Sequence, residues 1–231
     1  MARHRIRPAW RDNIRRNIGQ DAAANWWEAA GVAPWAAYQP KGAASFAASL
    51  TDLTGNGRDA GDPGGGATPG WGAVTGWTFD GIAQYLTTTF VPGVALTQNQ
   101  SMLIQFTALN ASTGVDKLSG VIRSGVNIFG IGEQVGASTN YYNGQTVGTG
   151  APPVAGNLAV AGAQGYRNGA ADGGLIGGWS LANGQPIYIG AENNAGVAQF
   201  FASYHCTALI LYDVTLTAPQ VALIAAAIAA L

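Results

Sequence analysis

The chain offers little nucleophilic or metal-ligating chemistry, with two histidines and one cysteine among 231 residues. Its glutamates are Glu28, Glu133 and Glu192. Retaining glycoside hydrolysis needs an acid and a nucleophile about 5 Å apart on one groove, which a strand supplies through a spacing such as E-x-D-x-x-E. None of the three glutamates has an aspartate two residues on, so that site is missing. A serine triad would have to recruit His4 or His205, and there is no G-x-S-x-G elbow. His205 stands beside Cys206, but neighbours on a strand point to opposite faces, so the two read as structural residues. Zinc lacks a ligand set, and the loop GDPGGGATPGWG from Gly61 to Gly72 has no G-K-[ST] to cradle a phosphate. These absences predict a chain that is not an enzyme and that carries no catalytic residue.

Two kinds of binding chemistry remain. Asp52, Asp59 and Asp62 could gather with backbone carbonyls as the oxygen ligands of calcium, the one cofactor the sequence leaves open. The competing and favoured reading has Asp52 and Asp59 brace the Gly55-Asn56-Gly57 turn through hydrogen bonds to its backbone. Trp71, Tyr141, Tyr142 and Trp179 fall in loop-like contexts and are the candidates for stacking on a sugar ring. Aromatic residues in such places are more often packed beneath the loops, which is the alternative for all four.

The elements that must position these residues read as strands and turns. Hydrophobic residues make up 48% of the chain and charged ones 10%, well below the roughly 25% of a typical soluble domain. With 34 glycines in no three-residue period, seven tryptophans and eight tyrosines, the composition fits one large turn-rich β domain. The stretch from Thr51 to Phe90 organises it: a Gly55-Asn56-Gly57 turn, a glycine-rich loop, then Trp77, Phe79, Tyr85 and Thr87 to Thr89 as strand residues around an Asp80-Gly81 turn. Trp35 to Tyr38 predicts the first strand, Ser101 to Leu109 a half-buried one, and Val121 to Ile131 a single strand with a glycine kink. Leu158 to Tyr166, Pro186 to Gly190 and Ala208 to Tyr212 complete the set. Hairpin turns are expected at Asn143-Gly144, Asn168-Gly169 and Asn183-Gly184. Thr217 with Gln220 makes a capping box for a C-terminal helix with Val221, Ile224, Ile228 and Leu231 on one face.

The N-terminus differs. Residues 1–19 carry six arginines, Arg3, Arg5, Arg7, Arg11, Arg15 and Arg16, against Asp12, whereas the rest carries five cations against eleven carboxylates. Such a basic arm, with Trp10 in a possible helical stripe, is expected to lie on an acidic protein surface, with no base-reading fold for specific nucleic acid. Asp21 can cap a short helix through Glu28 that holds Trp26 and Trp27 and ends at Gly31. Domain organisation is thus an attachment segment, residues 1–34, and a β-sandwich, residues 35–231. No secretory leader is legible, and the longest apolar run, Val221 to Leu231, would rise only about 16 Å as a helix, too little for a membrane core of roughly 30 Å. With Cys206 alone, no intrachain disulfide is possible.

In order along the chain, D-x-[ST]-G-N-G-x-D at Asp52 to Asp59, W-x-F-D-G-x-x-x-Y-L from Trp77 to Leu86, the strand at Ser101, Y-x-N-G at Tyr166 to Gly169, I-x-I-G at Ile187 to Gly190 and L-T-x-x-Q-V from Leu216 to Val221 resemble a laminin G-like domain of the concanavalin A-like lectin and glucanase superfamily. The resemblance covers about residues 36–231. It implies a jelly roll of two curved antiparallel sheets and a binder of glycans or proteins, sometimes with calcium. Where the family usually shows an Asp-Glu pair in the penultimate strand, this chain has His205-Cys206. The N-terminal region is similar to proteins encoded beside structural genes of tailed phages. The expectation is therefore a bacteriophage virion protein, made in a host cytoplasm, a capsid decoration or fibre subunit. Arg3, Arg5, Arg7, Trp10, Arg11, Arg15, Arg16, Trp26 and Trp27 would attach it to other virion proteins, in an oligomer for which a trimer is favoured. The sandwich would project outward toward host glycans. The alternative is a stand-alone carbohydrate-binding, lectin-like module.

Overall fold

A computed structural model describes residues 25–231 apart from 63–65, 111–114, 123–126 and 135–137. The basic arm, including Arg3 to Arg16 and Trp10, lies outside the described residues, as does Asp21. The described residues begin with a 3-10 turn, Trp26–Glu28, that Gly31 ends at a φ of +66°.

Among the described residues fifteen strands follow in chain order: β1 (Ala36–Tyr38), β2 (Gly70–Gly72), β3 (Gly76–Asp80), β4 (Leu86–Thr87), β5 (Ser101–Asn110), β6 (Val115–Ile122), β7 (Ile128–Gln134), β8 (Ser138–Gly148), β9 (Gly156–Ala161), β10 (Gln164–Arg167), β11 (Ala170–Leu175), β12 (Tyr188–Ile189), β13 (Glu192–Asn194), β14 (Val197–Gln199) and β15 (Ser203–Tyr212). A one-turn helix α1 (Phe46–Ser49) sits between β1 and β2, and helix α2 (Ala218–Ala229) closes the described chain. One sheet runs β11-β10-β9-β5-β15-β3-β2, with β1 also on β15. The other runs β14-β13-β6-β12-β4, with β7 on β6 and β8 on β7. Pairing within the two sheets is antiparallel except for β13 on β6.

The two sheets enclose one apolar layer. Met102, Ile104 and Phe106 of β5 meet Leu209 and Leu211 of β15 there, together with Trp77, Phe79, Phe129, Ile131 and Tyr141. Alternate positions of the same strands, Leu103, Ile210 and Tyr212, face the other way and form a second layer under Val221, Ile224 and Ala225 of α2. Trp26, Trp27 and Val32 pack against that second layer, so the segment before β1 lies on the sandwich. At the start of α2, the Thr217 backbone N–H donates to Gln220 Oε1 at 2.9 Å, and Pro219 occupies the first turn, where it lacks nothing. Among the described residues no helix is long and apolar enough to cross a membrane.

Several turns are where the sequence puts them. Asn168 and Gly169, at φ +50° and +79°, join β10 to β11, and Asp80 Oδ1 accepts the backbone N–H groups of Ile82, Ala83 and Gln84 around Gly81. Others need correcting. The single strand expected over Val121 to Ile131 is two, since Ile122 pairs with Ile128 and the chain reverses between them. Of its two glycines, Gly125 lies outside the described residues; a Cβ on Gly130 would run into the Ser119 carbonyl, so that residue serves the close approach of β6 and β7. Asn143-Gly144 lies inside β8 and makes no hairpin; a Cβ at Gly144 would stand 2.5 Å from the Gly178 carbonyl carbon. Leu158 to Tyr166 is β9 and β10, reversing at Gly162. Asn183 braces a loop by accepting the Gln185 N–H at 3.0 Å, without a hairpin.

Candidate functional site

The Asp52 to Asp59 turn is built from its carboxylates inward. Asp52 is buried; its Oδ1 accepts the N–H groups of Ala37 and Thr54, its Oδ2 accepts that of Arg58, and the Thr54 hydroxyl lies 2.8 Å from both oxygens. Asp59 Oδ1 accepts the Asp52 N–H at 2.8 Å. Gly55 and Gly57, at φ +77° and +69°, let the chain reverse within so short a span. The hydroxyl of Tyr38 donates to the Arg58 carbonyl at 2.6 Å; burial first, then the charges of Asp52 and Asp59, push that hydroxyl well above its ordinary pKa. These carboxylates brace a turn, which is the favoured sequence reading. Asp62 is occupied elsewhere, accepting the Thr68 hydroxyl. Among the described residues no three His, Cys, Asp or Glu side chains gather as a metal site.

At the tip of the turn Asn56 Nδ2 donates to the carbonyls of Pro34 and Trp35, at 3.3 and 3.2 Å. Arg58 Nη1 donates to the Trp35 carbonyl at 2.7 Å, with its guanidinium 4.2 Å from the Trp35 ring centroid. The turn is thereby fastened to the segment before β1, and between the two opens a cleft of about 480 Å3. Trp27, Glu28, Val32 and Pro34 form one wall, Thr54 and Asn56 the other. Trp27 is held edge-on by Trp26, with centroids 5.8 Å apart at 88°. Trp26 Nε1 donates to Gln39 Oε1 at 2.9 Å, and the Tyr212 hydroxyl donates to the Trp27 carbonyl at 3.4 Å. A half-buried indole, an exposed carboxylate and an exposed amide thus share a concavity within the roughly 300–1,000 Å3 of small-ligand sites. The sequence singled out Trp27 and Asn56 separately, for attachment and for a turn. Nothing in their spacing brings them together, because the cleft joins residues more than twenty positions apart.

The aromatic candidates lie elsewhere, and none of the four lines this cleft. Tyr141 is fully buried, its hydroxyl bonded to the Tyr166 carbonyl and Asp172 Oδ2. Tyr142 is 4% exposed, and Lys117 Nζ stands 3.5 Å from its ring centroid. Trp179 is buried and its Nε1 donates to Asn143 Oδ1 at 2.9 Å. Trp71 is half-buried against the core with its Nε1 on the Pro40 carbonyl. Trp26 and Trp27, expected to attach to other chains, pack on this chain's own sandwich. Cys206 is buried, and burial pushes its thiol up, away from thiolate chemistry, while half-buried His205 occupies the alternate position of β15.

One polar cluster escaped the sequence. Lys117 of β6 and Glu192 of β13 form an ion pair at 3.7 Å, 2% and 1% exposed. Gln199 Nε2 donates to Glu192 Oε1 at 2.9 Å. Burial lowers Lys117 to about 8, a shift that Glu192 opposes. Gly132 makes the room: a Cβ there would be 2.8 Å from Lys117 Cδ. Beside them Asp116 and Glu133 stand opposite each other across β6 and β7. Such cross-strand neighbours are invisible to a search for carboxylates along one strand.

No protein-family model matches the chain, and no curated protein matches its sequence. Solved structures do share its fold. Trypanosoma rangeli sialidase in complex with the inhibitor DANA superposes with a TM-score of 0.56 at 16% identity, over 81% of this chain and 32% of that one. The same sialidase with a difluorosialic acid, as a covalent intermediate, gives 0.58 at 15% identity over 84% and 33%. The chain therefore spans about a third of the sialidases it matches. Domain 4 of AbnA, a GH43 extracellular arabinanase from Geobacillus stearothermophilus, in complex with arabinotriose, gives 0.56 at 16% identity over 82% of this chain and 97% of that domain. Sialidases and arabinanases are enzymes, and this finding corrects the expectation that the chain is not one. At such identities the likeness carries the architecture alone: the chain is a two-sheet β-sandwich.

Proposed function

We propose that the chain is a lectin-like carbohydrate-binding module that holds an oligosaccharide in the cleft between Trp27 and Asn56. Of the two sequence expectations, a particle subunit and a carbohydrate-binding module, the comparisons support the second. The observation that carries the reading is the cleft itself, where an indole, a carboxylate, an amide and a hydroxyl line one concavity. Sugar rings present apolar C–H faces and hydroxyl edges, which call for this combination of an aromatic plane and hydrogen-bonding groups. The domain of the arabinanase, matched over nearly its whole length, was solved with arabinotriose. In this reading the module serves a sugar-processing system by keeping the polysaccharide at hand.

A glycan array followed by titration calorimetry tests it. The full chain is expected to retain a defined set of oligosaccharides, and Trp27→Ala to weaken them at least about tenfold, as for a central aromatic contact. Tyr141→Phe should leave the affinity unchanged. Equal binding by Trp27→Ala and the unaltered chain would remove the cleft as the seat.

A further inference from the structure

We infer that the cleft takes neutral oligosaccharides and turns away acidic sugars such as sialic and uronic acids. The inference rests on the module reading above and goes further by naming the ligand class from the hydrogen-bonding character of the lining.

Among the described residues, Glu28 carries the only formal charge on the cleft wall. The other polar side chains have their donors already committed. The Thr54 hydroxyl is directed at the Asp52 carboxylate and itself accepts the Asn56 N–H at 3.3 Å. Asn56 Nδ2 is held by the carbonyls of Pro34 and Trp35, which leaves its Oδ1 as the ligand-facing capacity of the amide. Glu28 is acceptor-only when ionised. Apart from the indole N–H of Trp27, the side chains of the described lining therefore present acceptors, and acceptors are satisfied by the hydroxyl donors of a neutral sugar.

An acidic sugar needs the reverse, a cation or an array of free N–H groups. None of Lys41, Arg58, Lys117 and Arg167 lines the cleft. Arg58, the cation of the adjoining turn, is stacked on Trp35 and donates to its carbonyl. Lys117 and Arg167 are paired with Glu192 and Asp172, and Lys41 borders a separate depression with Gln39 and Leu53. A sugar carboxylate entering the cleft would meet Glu28 with no cation among the described lining residues to offset the repulsion.

The test titrates the full chain with matched pairs, galactotriose against trigalacturonate and lactose against sialyllactose, with arabinotriose, cellotriose and mannotriose added to widen the neutral set. The expected result is binding among the neutral sugars and at least about tenfold weaker binding of each acidic partner. Glu28→Gln removes the charge while keeping one acceptor, and should narrow that gap several-fold by improving the acidic partner. Equal or tighter binding of trigalacturonate or sialyllactose by the unaltered chain, or a gap that Glu28→Gln leaves untouched, overturns this inference and leaves the module reading standing. Absence of binding across the whole set overturns both.

Discussion

Lys117 shows how much a single buried charge can reveal about a fold. Its folded pKa of about 8 lies below the usual 10.5, mainly because burial disfavours the ammonium. Between those values the unfolded chain holds a proton that the folded chain has released. Stability contributed through Lys117 is therefore absent below about pH 8 and grows as pH rises toward 10.5. Buried tyrosines with raised hydroxyls, such as Tyr38 and Tyr212, act in the opposite sense near and above pH 10, so the window to measure is pH 8 to 10. Urea denaturation should show the gain in the unaltered protein and none in Lys117→Met. At pH 7 the same variant should lose about 3 kcal/mol, because Glu192 is left buried without its partner. Tyr141→Phe removes a hydroxyl shared by the Tyr166 carbonyl and Asp172, and should cost about 1–2 kcal/mol in the same assay.

At the scale of elements, β15 and α2 carry the architecture. Gly76, at φ +74°, has no space for a side chain, since a Cβ would run into the Cys206 carbonyl of β15. Gly76→Ala is expected to cost more than about 2 kcal/mol, read as a lowered melting temperature. Ile224→Ala, which hollows the layer between α2 and β5, should cost about 2–4 kcal/mol by the same measure. The elements were legible in the sequence where a local rule decides them. Asn168-Gly169 needs only two positive φ angles, and Thr217 with Gln220 needs only each other. The sequence misled where a glycine answers to a distant neighbour: Gly144 accommodates Gly178, and Gly130 accommodates Ser119, yet both look like turn or kink residues from their surroundings in the chain. The candidate site was hidden for the same reason. Trp27 and Asn56 become neighbours only after the turn at Asp52 docks on the segment before β1.

For the whole molecule, the cleft exists because two separate parts of the chain are fastened together. One is the Trp26 to Pro34 segment, held by Gln39, Tyr212 and the layer under α2; the other is the turn braced by Asp52. Neither wall forms the concavity alone, so binding and docking of the segment should strengthen each other. Whether a sugar seats in this cleft is decided by nuclear magnetic resonance titration of the full chain with the tightest-binding neutral trisaccharide of the panel. The Trp27 indole N–H and the backbone amides of Glu28, Gly31, Thr54 and Asn56 should shift together and saturate at one dissociation constant. Saturable shifts confined to the other sheet, around Tyr142 and Tyr188, with the Trp27 and Asn56 signals unmoved, would contradict it.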